Sequence, residues 1–197
     1  RITDTDAQLY SGQTGGFRSE ELPELFQMIE ALPHVKLGGF TTFPALLYEE
    51  ATGAIAPTPN VKGLERAVAL AKEKGWKDLI VNIPSATCVS SIPLIRTLGG
   101  NNGEPGHGLT GTTPLHRDTD QPERVGYVYV SEVSHNFDGH AYCYGGGHYR
   151  RGHMENALVG SSPTECRRMK AAPPNEDSID YYYELEESCQ VSDTVIL

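Results

Sequence analysis

Asp78-Leu79-Ile80-Val81-Asn82-Ile83 is a short, mostly apolar run of the kind that forms a strand covered on both faces. Upstream of it, Leu64, Ala67, Val68, Leu70 and Ala71 recur at helical spacing and stop at Gly75, so a helix feeds this strand. A second helix is expected over 19–32, where Leu22, Leu25, Phe26, Ile29 and Leu32 repeat with the same period. Ser19 is its expected N-cap, with Glu20 and Glu21 in the first turn where the helix dipole favours acids. Between the helices, Val35 to Tyr48 carries β-favouring residues around the Gly38-Gly39 pair and reads as a strand running into a short helix or loop. Glu50 to Asn60, with Gly53, Pro57 and Pro59, reads as a loop. Strands alternating with helices imply a parallel sheet or barrel.

The texture changes after Pro114. Arg124 to Val133 alternates through Val125, Tyr127 and Tyr129, and 179–185 and 191–197 do the same with turn residues between. Met154 to Val159 is expected to form one helical turn. The fold class is therefore α/β followed by all-β: residues 1–113 form an α/β domain, and 114–197 a sandwich or barrel-like β domain, with the boundary within 112–121.

A chain of 197 residues can bury a substantial core. Its formal charge of −10 repels nucleic acid and anionic membrane, so neither is an expected partner. Apolar runs as short as Leu79-Ile80-Val81 cannot span a bilayer. Cys88, Cys143, Cys166 and Cys189 are irregularly spaced, which points to reduced thiols in a cytoplasmic protein. Strand patterns at both termini lead to the expectation that the chain is a C-terminal fragment.

The chemistry centres on Gly99-Gly100-Asn101-Asn102-Gly103-Glu104-Pro105-Gly106-His107-Gly108-Leu109-Thr110-Gly111. Glycines this dense let backbone amides approach an anion closely. Glu104-Pro105-Gly106-His107 resembles the Glu-Pro-Gly-Arg segment of barrel-type decarboxylases that use pyridoxal 5′-phosphate (PLP). With the residues that follow, it also resembles the Arg-Pro-Gly segment of alanine racemases. Pro84-Ser85-Ala86-Thr87 is similar to the Asn-Ser-Ala turn of that class. Gly12-Gln13-Thr14-Gly15-Gly16-Phe17 resembles its Asp-Thr-Gly-Met-His stretch. Cys143-Tyr144-Gly145-Gly146-Gly147-His148-Tyr149-Arg150 resembles its Gly-Tyr-Ala-Asp-Gly-Tyr-Pro-Arg. The order of these segments is that of alanine-racemase-like (fold-type III) PLP enzymes, and the longer strings look like the YhfX-like branch.

The resemblance implies the later βα units of a PLP-binding (β/α)8, or TIM, barrel followed by a β-rich domain, in a homodimer that racemises an amino acid at its α-carbon. It places Glu104 at the cofactor's ring nitrogen and Ser85, Thr87, Gly106 and His107 at its phosphate. It places Gln13 against the ring and Tyr144 as the acid/base that reaches a partner subunit. The lysine that carries the cofactor is expected upstream, because Lys36, Lys62, Lys72, Lys74, Lys77 and Lys170 match no such position. Glutamate in place of arginine at 104 leaves decarboxylase, aldolase or dehydratase chemistry open. Val191-Ser192-Asp193-Thr194-Val195 also resembles a segment of the related D-serine dehydratases, where a zinc-binding His/Cys pair follows, whereas this chain stops first. A non-catalytic PLP-binding module is a further alternative. So is a zinc site, since His135, His140, Cys143, His148 and His153 fall close together in sequence, although no metal ligand is assigned.

Overall fold

The computed structural model describes residues 1–4, 12–13, 15–117, 119–145, 154–162, 164–172 and 181–197. It divides into two compact units, Arg1–Gly126 and Tyr127–Leu197, so the segment 114–126 packs with the first.

In the first unit, a 3-10 turn at Ser19–Glu21 leads into helix α1 (Leu22–Glu30). Ser19 is not its N-cap. The Ser19 hydroxyl instead donates to the carboxylate of Asp4, and the Arg18 N–H donates to Glu21 Oε2 at 2.7 Å. A charged acceptor on a neighbouring segment outcompetes the local cap. Leu22 and Phe26, four apart, bury one face of α1, and the Phe26 ring meets Phe40 and Trp76 at 6.4 and 6.3 Å.

Strand β1 (Gly39–Thr41) is followed by a hairpin of β2 (Leu46–Glu49) and β3 (Ala54–Pro57). The expected loop over 50–60 thus contains a strand. The Gly53 N–H donates to the Glu49 carbonyl at 2.9 Å, and Gly53 has φ +65°, a turn tight enough to send the chain back on itself. Helix α2 (Asn60–Glu73) buries Leu64, Ala67 and Ala71. Gly63 of this helix lies against Asp4, where a Cβ would sit 3.0 Å from the Asp4 Cβ.

Strand β4 (Ile80–Asn82) then pairs with β1 in parallel, Phe40 opposite Val81 and Thr41 opposite Asn82. Ile2 widens this arrangement on one side, through its N–H to the Thr41 carbonyl and a parallel bridge to Phe17. Asn102 widens it on the other, bridging Asn82. Helices α3 (Ile92–Thr97) and α4 (Gly106–Thr110) complete the unit. Its core joins Leu22, Phe26, Phe40, Leu46, Leu64, Val81 and Ile83. Among the described residues these parallel strands do not close into a barrel.

The second unit is the closed barrel, and it is antiparallel. Strands β5 (Val130–Phe137), β6 (His140–Tyr144), β7 (Asn156–Ser162), β8 (Glu165–Ala172), β9 (Tyr182–Leu185) and β10 (Thr194–Ile196) pair in the order β10-β5-β6-β9-β8-β7, with β7 returning to β10. Every strand of the ring thus has a partner on each side, although β8 meets β9 only through Ala171 and Ala172. Six strands enclose little room, so small side chains (Ala141, Cys143, Ala157, Ala171) share the interior with Val133, Met169, Leu185 and Val195. The helical turn expected over Met154 to Val159 is instead the start of β7, because Ala157 and Val159 alternate into that interior.

Candidate functional site at the strand ends

β1 and β4 both end in polar residues, Thr41 and Asn82, at the end of a parallel sheet where ligand sites form. The Gly99–Asn102 segment does not form a free loop here; it takes the place of a further strand. The Val81 N–H donates to Asn101 Oδ1 at 2.8 Å and Asn101 Nδ2 donates to the Leu79 carbonyl at 2.9 Å. The Ile83 N–H then donates to the Asn102 carbonyl at 3.0 Å. Glu104 is thereby delivered beside Asn82.

A connected polar group results. Asn82 Nδ2 donates to Glu104 Oε1 at 2.8 Å and to Thr41 Oγ1 at 2.9 Å, while Asn102 Nδ2 donates to Asn82 Oδ1 at 2.7 Å. Asn82 is buried and Glu104 exposed, so a covered amide holds a carboxylate at the surface.

The turn after β4 adjoins it. Ser85 and Ala86 have φ +75° and +44°, a left-handed pair that is uncommon without glycine and concentrates at functional sites. Ser85 Oγ accepts from the Ala45 N–H at 3.4 Å. Buried Thr87 accepts from the Glu104 N–H at 3.2 Å through its hydroxyl, and from the Gly108 N–H at 3.1 Å through its carbonyl. Gly106, the first residue of α4, faces open space, and exposed His107 pairs through Nδ1 with Thr112 Oγ1 at 3.2 Å. Gly111 ends α4 with φ +64°, and a Cβ there would lie 2.0 Å from the Arg124 carbonyl, so glycine is required.

Ser85, Thr87, Glu104 and Gly106 therefore belong to two loops in mutual contact. Gln13 precedes Phe17, the bridge partner of Ile2, by four residues, and no contact brings it to Asn82 or Glu104 among those described. Thr41, Asn82 and Asn102 were not singled out from sequence; the one available sign was a polar residue ending an otherwise apolar strand. None of the six lysines lies at the carboxyl end of β1 or β4. A hydroxyl-bearing left-handed turn beside a held carboxylate fits the phosphate and ring-nitrogen ends of PLP, but the chain offers no lysine there to carry it.

Tyr144 belongs to the second unit. Its ring is half-exposed and lies 5.8 Å from that of Tyr182, while its carbonyl accepts from Ser131 Oγ at 2.7 Å. A bulge in β5 between Val133 and His135 alters the alternation. Val133 faces inward, and regular alternation would send His135 inward too; the extra residue turns it out. There it stacks on Tyr142 at 5.0 Å and meets Tyr182 edge-on at 5.1 Å. Burial and the Glu184 carboxylate, which accepts from the Tyr142 hydroxyl at 3.1 Å, push that phenol up from its ordinary value. His140 and Cys143 occupy opposite faces of β6, with Cys143 in the core. His148 and His153 lie outside the described residues. Among the described residues no group of three or more His, Cys, Asp or Glu could hold a metal ion, and no helix is long and apolar enough to cross a membrane.

Residues 128–197 match the family model of the YhfX-like, C-terminal domain, which corresponds closely to the second unit. Over 198 residues the chain is 41% identical to the "Uncharacterized protein YhfX" of Escherichia coli (strain K12). That match covers 100% of this chain and 51% of the relative, so the chain spans about half the relative's length and is similar along all of it to a YhfX-like protein.

Proposed function

We propose that the chain is the later part of a PLP-dependent enzyme acting at the α-carbon of an amino acid, with racemisation the preferred reaction. The reading rests on one observation above others: the Ser85–Thr87 turn and the Glu104–Gly106 loop meet at the carboxyl ends of parallel strands, as the later units of a (β/α)8 barrel require. PLP supplies an electron sink that stabilises charge at the α-carbon. Ser85 and Thr87, with the backbone around Gly106 and His107, hold its phosphate. Glu104 accepts a hydrogen bond from the ring nitrogen. Tyr144, like the matching tyrosine of the resembled class, holds or delivers a proton to the substrate of a partner subunit, and a lysine outside this chain serves the opposite face. Such a protein works as a homodimer in the cytoplasm on an amino acid as its small-molecule substrate.

The carboxylate at 104 also favours a second reading, decarboxylation, aldol cleavage or dehydration, because it strengthens the sink beyond what an arginine would. The experiment is to add PLP to a protein extended to the length of the YhfX relative. A visible absorbance band that borohydride abolishes, leaving the cofactor covalently attached, is expected. A protein that stays colourless with excess PLP overturns the proposal.

A further inference from the structure

We infer that Asn82 is a positioning residue that sets the direction in which Glu104 presents its carboxylate to a ligand at the strand ends. The inference rests on the PLP reading for the identity of that ligand, but its geometry stands independently. A carboxylate only accepts hydrogen bonds, so Asn82 must turn its Nδ2 toward Glu104, where the separation is 2.8 Å. The second N–H of the same amide is used by Thr41 Oγ1 at 2.9 Å, and its oxygen is filled by Asn102 Nδ2 at 2.7 Å.

The amide thus has both donors and its acceptor engaged, by Thr41 of β1 and by Asn102 and Glu104 of the segment that follows α3. A flip of the Asn82 amide would set its oxygen against the Glu104 carboxylate and its NH2 against that of Asn102. Asn102 is itself held by the backbone ladder to β4, through the Ile83 N–H to its carbonyl. One oxygen of an otherwise exposed side chain is consequently tied to the sheet. Glutamate loses substantial rotamer freedom when held in one geometry, and a buried, fully engaged amide meets that cost before any ligand arrives.

The test is a double-mutant cycle read by PLP affinity and by the absorbance of the bound cofactor, in the protein extended to the relative's length. Asn82→Ala and the isosteric Asn82→Asp are each made in the wild-type and Glu104→Gln backgrounds, and thermal melting identifies which variants are folded. Each Asn82 variant is expected to weaken PLP binding about tenfold or more and to shift the absorbance band. In the Glu104→Gln background neither should add a further loss, because Asn82 acts through Glu104. Losses that multiply, or an Asn82 variant with wild-type affinity and spectrum, overturn the inference while cofactor binding stands. A wild type that does not bind PLP overturns both.

Discussion

The Val81 N–H donates to the side-chain oxygen of Asn101 at 2.8 Å, so a side-chain amide stands where a neighbouring strand's backbone would. Asn101 Nδ2 returns the bond to the Leu79 carbonyl at 2.9 Å. Asn101→Ala should leave the Val81 N–H of β4 and the Leu79 carbonyl just before it without these partners and destabilise the first unit by about 1–3 kcal/mol. Urea denaturation, followed by the fluorescence of Trp76, checks this. An unchanged midpoint would show that water replaces the amide at little cost.

Asp4 supplies an acid-dependent part of the stability. Burial raises its carboxyl, but hydrogen bonds from Ser19 and the Arg66 guanidinium at 2.7 Å outweigh that and hold it below the usual carboxylate range. A depressed folded-state value means stability that is complete above the unfolded-state value and lost as pH falls through the folded one. Wild-type melting temperature should therefore fall between about pH 5 and pH 2 by more than that of Asp4→Asn. Parallel curves for the two proteins would remove Asp4 from the acid response.

The thiols should differ sharply in reactivity. Cys166 is exposed, whereas Cys88 and Cys143 are buried and burial pushes the Cys143 thiol up. Under native conditions a disulfide reagent should modify Cys166 readily and reach Cys88 and Cys143 only on unfolding. Mass spectrometry of the labelled peptides locates the modification, and native labelling of Cys143 would mean that the barrel opens.

Tyr144→Phe should lower turnover of the extended protein by about 10²–10⁴ with little change in PLP affinity. The phenyl ring keeps its place beside Tyr182, so the melting temperature should hold. Because the matching tyrosine in the resembled class reaches a partner subunit, mixing Tyr144→Phe subunits with lysine-deficient ones should restore some activity. Near-normal turnover of the variant would leave Tyr144 as a packing residue of β6.

Helical and strand periods are local properties, and these are what the sequence displays. The repeats in α1 and α2, the apolar run at β4 and the alternation in β9 and β10 were legible because each depends on residues within a few positions. The alternation read over 124–133, by contrast, forms a strand only from Val130 onward, Val125, Tyr127 and Tyr129 lying outside β5. The hairpin partner β3 and the strand at 156–162 were not, since neither is apolar enough to be told from a loop or turn without its neighbour.

The candidate site divides along the same line. By itself the sequence determined which residue types were available, Ser85, Thr87, Glu104, Gly106 and Tyr144, and the order in which the chain delivers them. Only the tertiary structure decided that Asn82 and Glu104, 22 positions apart, share a hydrogen bond, that Thr41 joins them from 41 positions away, and that one extra residue in β5 turns His135 outward onto Tyr142. Strand pairing and the bulge set those outcomes. Each depends on which backbone groups find partners across the fold, and no local period encodes that choice.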